Sequence, residues 1–329
     1  MQFELSICIP TYNRAKYLPE TLNSIINQID ESIRDKVEIC ISDNASQDNT
    51  NQIVESYKAK HPHITYFRWE KNMGADNNYL KVVEIAHGKY CWFLGSDDII
   101  KEGSLGKILS ELKPHCDLYL CNVDICDINM NFIKKYKSFK KNVHTQVFTF
   151  GTPEKLEIYL GSTKSLVSLF GYLSCIVFLK EKWDSINFDK AFIGSAYSHT
   201  YILLSMLKYN NSLKYIDEYL VYNRSGNDSF SQEGIAKRAL LDLNGYSSLI
   251  TALFTGYIDT KYWIKQIISN NFDFRYILYL MSAQKETQAL ENGFLKTGYS
   301  KTYFLLIKIL KYPYKLMRYI KNIITPQKT

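Results

Sequence analysis

Along the first 126 residues the apolar positions switch between two periods. Short apolar runs at LSICIP (5–10), VEICIS (37–42), ITYFRW (64–69) and YCWFLG (90–95) have the length and the β-branched or aromatic content of strands. Between them Tyr17 to Gln28, Thr50 to Lys60 and Asn77 to His87 carry helical spacing. Strands alternating with helices predict parallel β-α-β units, in which ligands bind at the carboxyl ends of the strands. Polar clusters fall at those ends: Thr11–Arg14, Asp43–Asp48, Asn72–Asn78 and Ser96–Asp98. DLYLCNVDIC (117–126) adds a strand, residues 127–230 mix strand, loop and helix signals, and from about Ser231 the chain reads as helical. The expected class is α/β, a mostly parallel sheet flanked by helices with a C-terminal helical extension.

Composition narrows the function classes. Apolar residues make up 46% of the 329 and charged residues 22%, ordinary for a folded protein. Seven scattered cysteines, with no C-x-x-C pair, read as reduced core residues of a cytosolic protein. The start MQFELSICIPTYN lacks the basic and apolar stretches of a secretory signal, and no apolar run reaches the length of a membrane span. The formal charge is +7, but eight basic residues follow Glu291, the last acidic one, so residues 1–291 carry 32 basic against 33 acidic side chains, a net of −1. That argues against a nucleic-acid partner bound by the body of the fold. No G-x-x-x-x-G-K-[ST] or G-x-G-x-x-G loop is present, which removes the main support for ATPases and Rossmann dehydrogenases.

The surplus charge lies on a predicted helix from about Thr302. Lys308, Lys311, Lys315, Arg318 and Lys321 recur every three or four positions, with Leu305, Leu306, Ile309, Leu316, Ile320 and Ile323 on the opposite arc and Pro313 as an expected kink. This is the pattern of an interfacial helix on an anionic membrane surface, each basic residue contributing roughly 1 kcal/mol near anionic lipid. The competing reading is a basic helix packed on the protein's own body.

Taken singly, D-N-A-S-Q-D (43–48) reads as a turn, and Ser96, Asp97 and Asp98 as helix caps. Together and in order, residues 5–125 resemble family-2 glycosyltransferases, whose fold is termed GT-A. S-I-C-I-P-T-Y-N-R (6–14) is similar to that family's first-strand signature, D-N-A-S-Q-D-N-T (43–50) to its D-D-G-S-x-D-x-T, N-M-G-A-D-N-N with A-H-G-K-Y (72–78, 86–90) to its N-x-G-x-x-x-N…A-x-G-x-Y, and F-L-G-S-D-D (93–98) to its F-L-D-x-D-D. The resemblance implies a nucleotide-sugar half at 1–126, an acceptor half at 127–230 and a helical region at 231–329. Pro10, Thr11 and Tyr12 are expected to flank the base, Asp43 to read base or ribose, and Arg14, Asn44, Asn72, Gly74, Asn78, Ser96, Asp97 and Arg224 to complete the nucleotide site, Arg224 from a loop over the phosphates. Asp97 and Asp98 are the expected ligands of a divalent cation, Mn²⁺ or Mg²⁺, both of which take oxygen donors.

Two positions depart from the family pattern. Gly95 stands where the family has the first Asp of D-x-D, and His199 where inverting members have a catalytic Asp. A histidine suits proton abstraction, with an unperturbed pKa of about 6.5. A structural histidine capping the helix is the other reading of that position, and Asp189 is the second candidate base. The finer resemblance is to bacterial O-antigen and capsule sugar transferases such as abequosyltransferases. It implies a lipid-linked oligosaccharide acceptor and a cytoplasmic enzyme held at the inner face of the plasma membrane. A non-catalytic nucleotide- or glycan-binding scaffold remains the alternative, since Gly95 and His199 both replace expected catalytic side chains.

Overall fold

The computed structural model describes residues 3–113, 115–227, 230, 234–283 and 287–324, the side chains of Ala283 and of 314–324 excepted. The chain divides into two compact units, 1–227 and 228–329.

In the first unit the strands are β1 (Leu5–Thr11), β2 (Val37–Asp43), β3 (Ile64–Arg68), β4 (Tyr90–Phe93), β5 (Ile99–Ile100), β6 (Leu118–Cys126), β7 (Phe132–Tyr136), β8 (Gln146–Thr149), β9 (Ile176–Leu179) and β10 (Ser212–Arg224). The helices are α1 (Leu18–Ile26), α2 (Thr50–Lys58), α3 (Ala75–Glu84), α4 (Ser104–Glu111), α5 (Pro153–Ser162), α6 (Lys180–Asp184) and α7 (Ser198–Met206). The sheet runs β3-β2-β1-β4-β9-β6-β10-β5, with β7 on β6 and β8 on β10. Its first four strands are parallel, as the alternation of elements predicts. Beyond β4 the sheet is mixed, because β9 enters antiparallel between β4 and β6. Every residue of β1 and β2 is buried, which is why they read as continuous apolar runs.

The amino ends of these strands are locked by a buried carboxylate. Glu38 Oε1 accepts hydrogen bonds from Ser6 Oγ at 2.6 Å, His87 N at 2.5 Å and Gly88 N at 3.1 Å. A Cβ at Gly88 would lie 2.5 Å from Ser6 Oγ and 2.7 Å from Ser6 N, so the A-H-G-K-Y segment is a close-packing motif at the end of the sheet remote from the polar loops. All seven cysteines are buried and unbridged.

The second unit is helical, as expected: α8 (Ile235–Phe254), α9 (Thr260–Asn271), α10 (Phe274–Ala283), α11 (Thr287–Lys296) and α12 (Lys301–Ile324). Its core gathers Tyr246, Ile250, Phe254, Ile267, Phe294, Phe304 and Ile307. Pro313 lies inside α12, which continues beyond it. Phe304 and Ile307 pack inward while Leu305, Leu306, Ile309 and Tyr312 are exposed, and Lys308 pairs with Glu291 at 2.8 Å. The expected arc positions Lys315, Leu316, Arg318, Ile320, Lys321 and Ile323 have side chains outside the described residues. Among the described residues no helix is long and apolar enough to cross a membrane.

Gly88→Ala is expected to cost about 2 kcal/mol by overpacking against Ser6. Gly106→Ala on α4, where a new Cβ meets nothing within 4 Å, should gain up to about 1 kcal/mol from helix propensity. Urea unfolding of the two variants checks the contrast.

Candidate active site

The four polar clusters meet at the carboxyl ends of β1, β2 and β4, and much of their polarity is spent on one another. Asn13 N donates to Ser46 Oγ at 2.8 Å, Gln47 N to Asn13 Oδ1 at 2.7 Å and Ala15 N to Asp48 Oδ2 at 2.9 Å, stitching the loop after β1 to the loop after β2. Asn44 Nδ2 donates to Asn72 Oδ1 at 2.8 Å and Asn44 Oδ1 accepts from Met73 N at 2.7 Å, which ties in the loop before α3. Gly74 adopts φ +83° there, open to solvent on its Cβ side.

Three of the expected nucleotide-site residues, Asn78, Asp43 and Arg224, have their polar atoms engaged within the protein. Asn78 is buried, and its amide bridges the diverging ends of β1 and β2 through Thr11 O, Ser42 O and Ser42 Oγ, so it shapes the site rather than facing a ligand. Asp43 is fully buried: Oδ1 accepts from Ser46 N and Oγ at 2.9 and 2.6 Å, and Oδ2 from Tyr66 Oη at 2.9 Å with Arg68 Nε at 3.4 Å. It holds Ser46 and Arg68 in place. Pro10 lies in β1, Thr11 and Ser96 are buried, and Tyr12 is exposed at the rim.

Asp98 is a buried carboxylate that accepts four hydrogen bonds. Oδ2 accepts from Tyr172 Oη at 2.6 Å and Ser174 Oγ at 2.5 Å; Oδ1 accepts from Arg224 N at 3.1 Å and Asn223 Nδ2 at 3.2 Å. Burial, and then the neighbouring Asp97, push its pKa up to about 7, against the pull of those donors. Both Asp98 oxygens are thus engaged within the protein, whereas Asp97 keeps Oδ1 free of a hydrogen bond among those described. A Cβ at Gly95 would lie 2.6 Å from Asp98 Oδ2, so a larger residue there would require the Asp98 side chain to shift.

Arg224 is engaged likewise. Its Nε donates to Asp97 O at 3.0 Å, Nη1 to Ile128 O at 2.7 Å and Nη2 to Glu20, while the guanidinium sits 4.8 Å above the Tyr17 ring. It is a buried brace. The cation facing Asp97 is Arg14, with Nη2 at 3.8 Å from Asp97 Oδ2 and 3.0 Å from the Asn227 carbonyl it bonds. Asn227 Nδ2 donates to the same Asp97 oxygen at 2.6 Å. Burial raises the Asp97 pKa, and Arg14 and Asn227 oppose the rise. Asp97 Oδ1 lies on the Gly95 side. Among the described residues no three His, Cys, Asp or Glu side chains converge on one point. This donor set does not fit a cation caged by protein alone. It fits one that arrives on a diphosphate and takes a single carboxylate oxygen, a common arrangement for Mg²⁺.

Asp76 organises the loop that leads into α7. Its Oδ2 accepts from Gly194 N and Ala196 N at 2.8 and 2.9 Å, and Oδ1 from Ser198 N at 2.8 Å. His199 follows, 4% exposed, between the rings of Tyr79 and Phe93. Its Nε2 lies 3.1 Å from both Phe170 O and Thr200 Oγ1, and Nδ1 is buried without a partner. Burial pushes the His199 pKa down to about 4, with Asp76 and the Phe170 carbonyl pulling the other way. Asp189 is exposed and caps a 3₁₀ turn through Ala191 N at 2.9 Å. Asp76, Tyr172, Ser174, Asn227 and Arg68 are not singled out by the sequence motifs, since each is recognisable only through a partner distant along the chain.

The His199 shift has a definite sign. A base whose folded pKa is about 4 against 6.5 unfolded binds fewer protons when folded, so stability rises with pH across that window and is lost as pH falls through it, by about 3 kcal/mol in total. Denaturant titrations between pH 7 and pH 4 should show this component in the wild type and its absence in His199→Gln.

Comparison with known proteins places this geometry. The family model for Glycosyl transferase family 2 matches residues 6–177. Abequosyltransferase RfbV of Salmonella typhimurium is 34% identical over 324 residues, covering 97% of this chain and 96% of its own. Among solved structures, S. aureus TarS 1–349 in complex with UDP-GlcNAc aligns with a TM-score of 0.59 at 19% identity, over 90% of this chain and 80% of that one. Mannosyltransferase PcManGT from Pyrobaculum calidifontis, in complex with GDP-Man and Mn²⁺, aligns with a TM-score of 0.51 at 15% identity, over 98% and 88%. The structural likenesses establish the GT-A fold, and the sequence match along nearly the whole chain establishes the family. The protein belongs to glycosyl transferase family 2 and is a glycosyltransferase.

Proposed function

We propose that this glycosyltransferase moves a hexosyl or deoxyhexosyl group from a nucleoside-diphospho-sugar to a hydroxyl of a lipid-linked oligosaccharide, with inversion, during synthesis of a bacterial surface polysaccharide of O-antigen or capsule type. The observation that carries the reading is the convergence of Arg14 and Asn227 on Asp97 at the carboxyl ends of β1 and β4. The near full-length identity to an abequosyltransferase supports the sugar class and the surface-polysaccharide role, and the UDP- and GDP-sugars bound by TarS and PcManGT support the donor class.

In this mechanism the donor's base lies against the end of β1, where Pro10 and Thr11 lead to Tyr12 at the rim, and its diphosphate faces Arg14 and Asp97. A divalent cation bound there supplies charge neutralisation of the leaving diphosphate. The loop fastened by Asp76 presents the acceptor. His199 Nδ1 takes the proton of the acceptor hydroxyl, the oxygen forms its bond to the anomeric carbon from the face opposite the diphosphate, and the bond from that carbon to the diphosphate oxygen breaks. A buried polar atom left without a partner is costly and concentrates at functional sites, which favours Nδ1 over the solvated Asp189. The exposed Leu305, Leu306, Ile309 and Tyr312 of α12 support attachment to the membrane's inner face. The scaffold alternative is set aside, because the family is one of transferases and the near full-length match is to a transferase.

The test is transfer of radiolabel from UDP-, GDP-, CDP- and TDP-linked sugars into the organic-extractable lipid of bacterial membranes. Label should enter from one nucleotide class, fall by about 10² or more in His199→Ala with donor affinity retained, and stay within about twofold in Asp189→Asn. Undiminished transfer by His199→Ala would remove the proposed base.

A further inference from the structure

The net charge of −1 over residues 1–291 conceals a local surplus. Between Asp127 and Glu154 the chain has Lys134, Lys135, Lys137, Lys140 and Lys141 and no acidic residue. The fold adds Lys164 to them: its Nζ lies 4.8 Å from the centre of the Tyr136 ring and 3.5 Å from Lys137 O. Burial and then the charges of Lys134, Lys141 and Lys137 hold its pKa below the usual lysine value. Three of the six are partly spent within the protein, Lys137 on Asp217 at 2.7 Å, Lys140 on Gly161 O at 2.6 Å and Lys164 on Lys137 O. Lys135 lies 5.0 Å from the centre of the Tyr219 ring.

These lysines are carried on and just beyond β7, which pairs with β6 alone among the described strands. Lysines on an edge strand ordinarily guard against pairing with another chain. A guarded edge does not display large apolar side chains, whereas β7 begins with Phe132 and Ile133, 59% and 53% exposed. Apolar side chains that enter a headgroup layer, flanked by lysines that meet its phosphates, are what binding to an anionic bilayer requires. The edge also sits beside the catalytic centre, because the turn leading into β7 is gripped by Arg224 Nη1 on Ile128 O at 2.7 Å and the same Arg224 holds Asp98 through its backbone N.

We propose that β7 with Lys134, Lys135, Lys141 and Lys164 is a docking surface for an anionic lipid bilayer, Phe132 and Ile133 entering the headgroup layer beside the active site. The inference rests on the proposed function in that an acceptor carried in the bilayer would then meet the site directly. It is separate from α12, since it uses a different unit of the chain.

Co-sedimentation of the full chain with phosphatidylcholine vesicles, with and without phosphatidylglycerol, tests it. The triple variant Lys134→Glu/Lys135→Glu/Lys141→Glu and the double variant Phe132→Ser/Ile133→Ser should each lower partitioning onto the anionic vesicles at least about tenfold. Thermal melting and nucleotide titrations should be unchanged, since all five positions are exposed. Leu305→Ser/Ile309→Ser on α12 provides the comparison. Wild-type partitioning by the triple variant overturns the proposal, as does equal binding of the wild type to vesicles lacking phosphatidylglycerol, or binding to RNA in preference to vesicles. The readout needs neither donor nor acceptor, so vesicle binding without sugar transfer would remove only the functional reading, and transfer to a soluble acceptor without vesicle binding only the docking surface.

Discussion

The buried carboxylate of Asp98 is the constraint on which the rest of the site depends. A buried carboxyl group out of reach of water must be met by donors, and four arrive from two separate stretches: Tyr172 and Ser174 from the segment before β9, and Asn223 and Arg224 from the end of β10. Satisfying it therefore fixes where β10 ends relative to β4. Arg224, placed by its own N–H on Asp98, then braces Asp97 O, the turn at Ile128 and Glu20. Asp97 is thus presented by a scaffold that it does not itself hold together, which leaves its carboxylate to Arg14, Asn227 and a ligand.

The same segment reaches the other half of the chemistry. Five residues carry both links: Phe170 O accepts from His199 Nε2, and Tyr172 and Ser174 donate to Asp98. Phe170 adopts φ +65° to turn its carbonyl toward the histidine, a conformation that bulky residues seldom take. Gly95 N and Trp92 Nε1 both donate to Ser174, through its Oγ and its carbonyl, so the strand bearing the aspartates is pinned to this segment as well. One bracket therefore links Asp98 to His199, while Asp76 holds the loop before α7.

Much of this was legible in the sequence, and the exceptions share a cause. The alternation from Leu5 to Phe93 specified four parallel strands because residues buried on both faces leave an unbroken apolar signature. The polar clusters were correctly placed at the carboxyl ends, since strand polarity follows from β-α-β order alone. Roles within the clusters were less legible. Asp43, Asn78, Asp98 and Arg224 match motif positions, yet their polar atoms turn inward to partners 3 to 204 residues away, which spacing along the chain does not encode. The mixed half of the sheet was hidden for a similar reason, because β9 is only four residues long and inserts between strands formed earlier. Summing charge over 291 residues likewise hid the lysines around β7, since a sum carries no position.

The central claim is that a diphosphate and its cation are held by one carboxylate, Asp97, on a scaffold fastened by Asp98. Calorimetric titration of UDP, GDP, CDP and TDP with and without Mn²⁺, against wild type and Asp97→Asn, tests it most directly. The account predicts that one nucleotide binds, that Mn²⁺ tightens it, and that Asp97→Asn abolishes the metal enhancement while melting at the wild-type temperature. Metal-enhanced binding that survives in Asp97→Asn would contradict it.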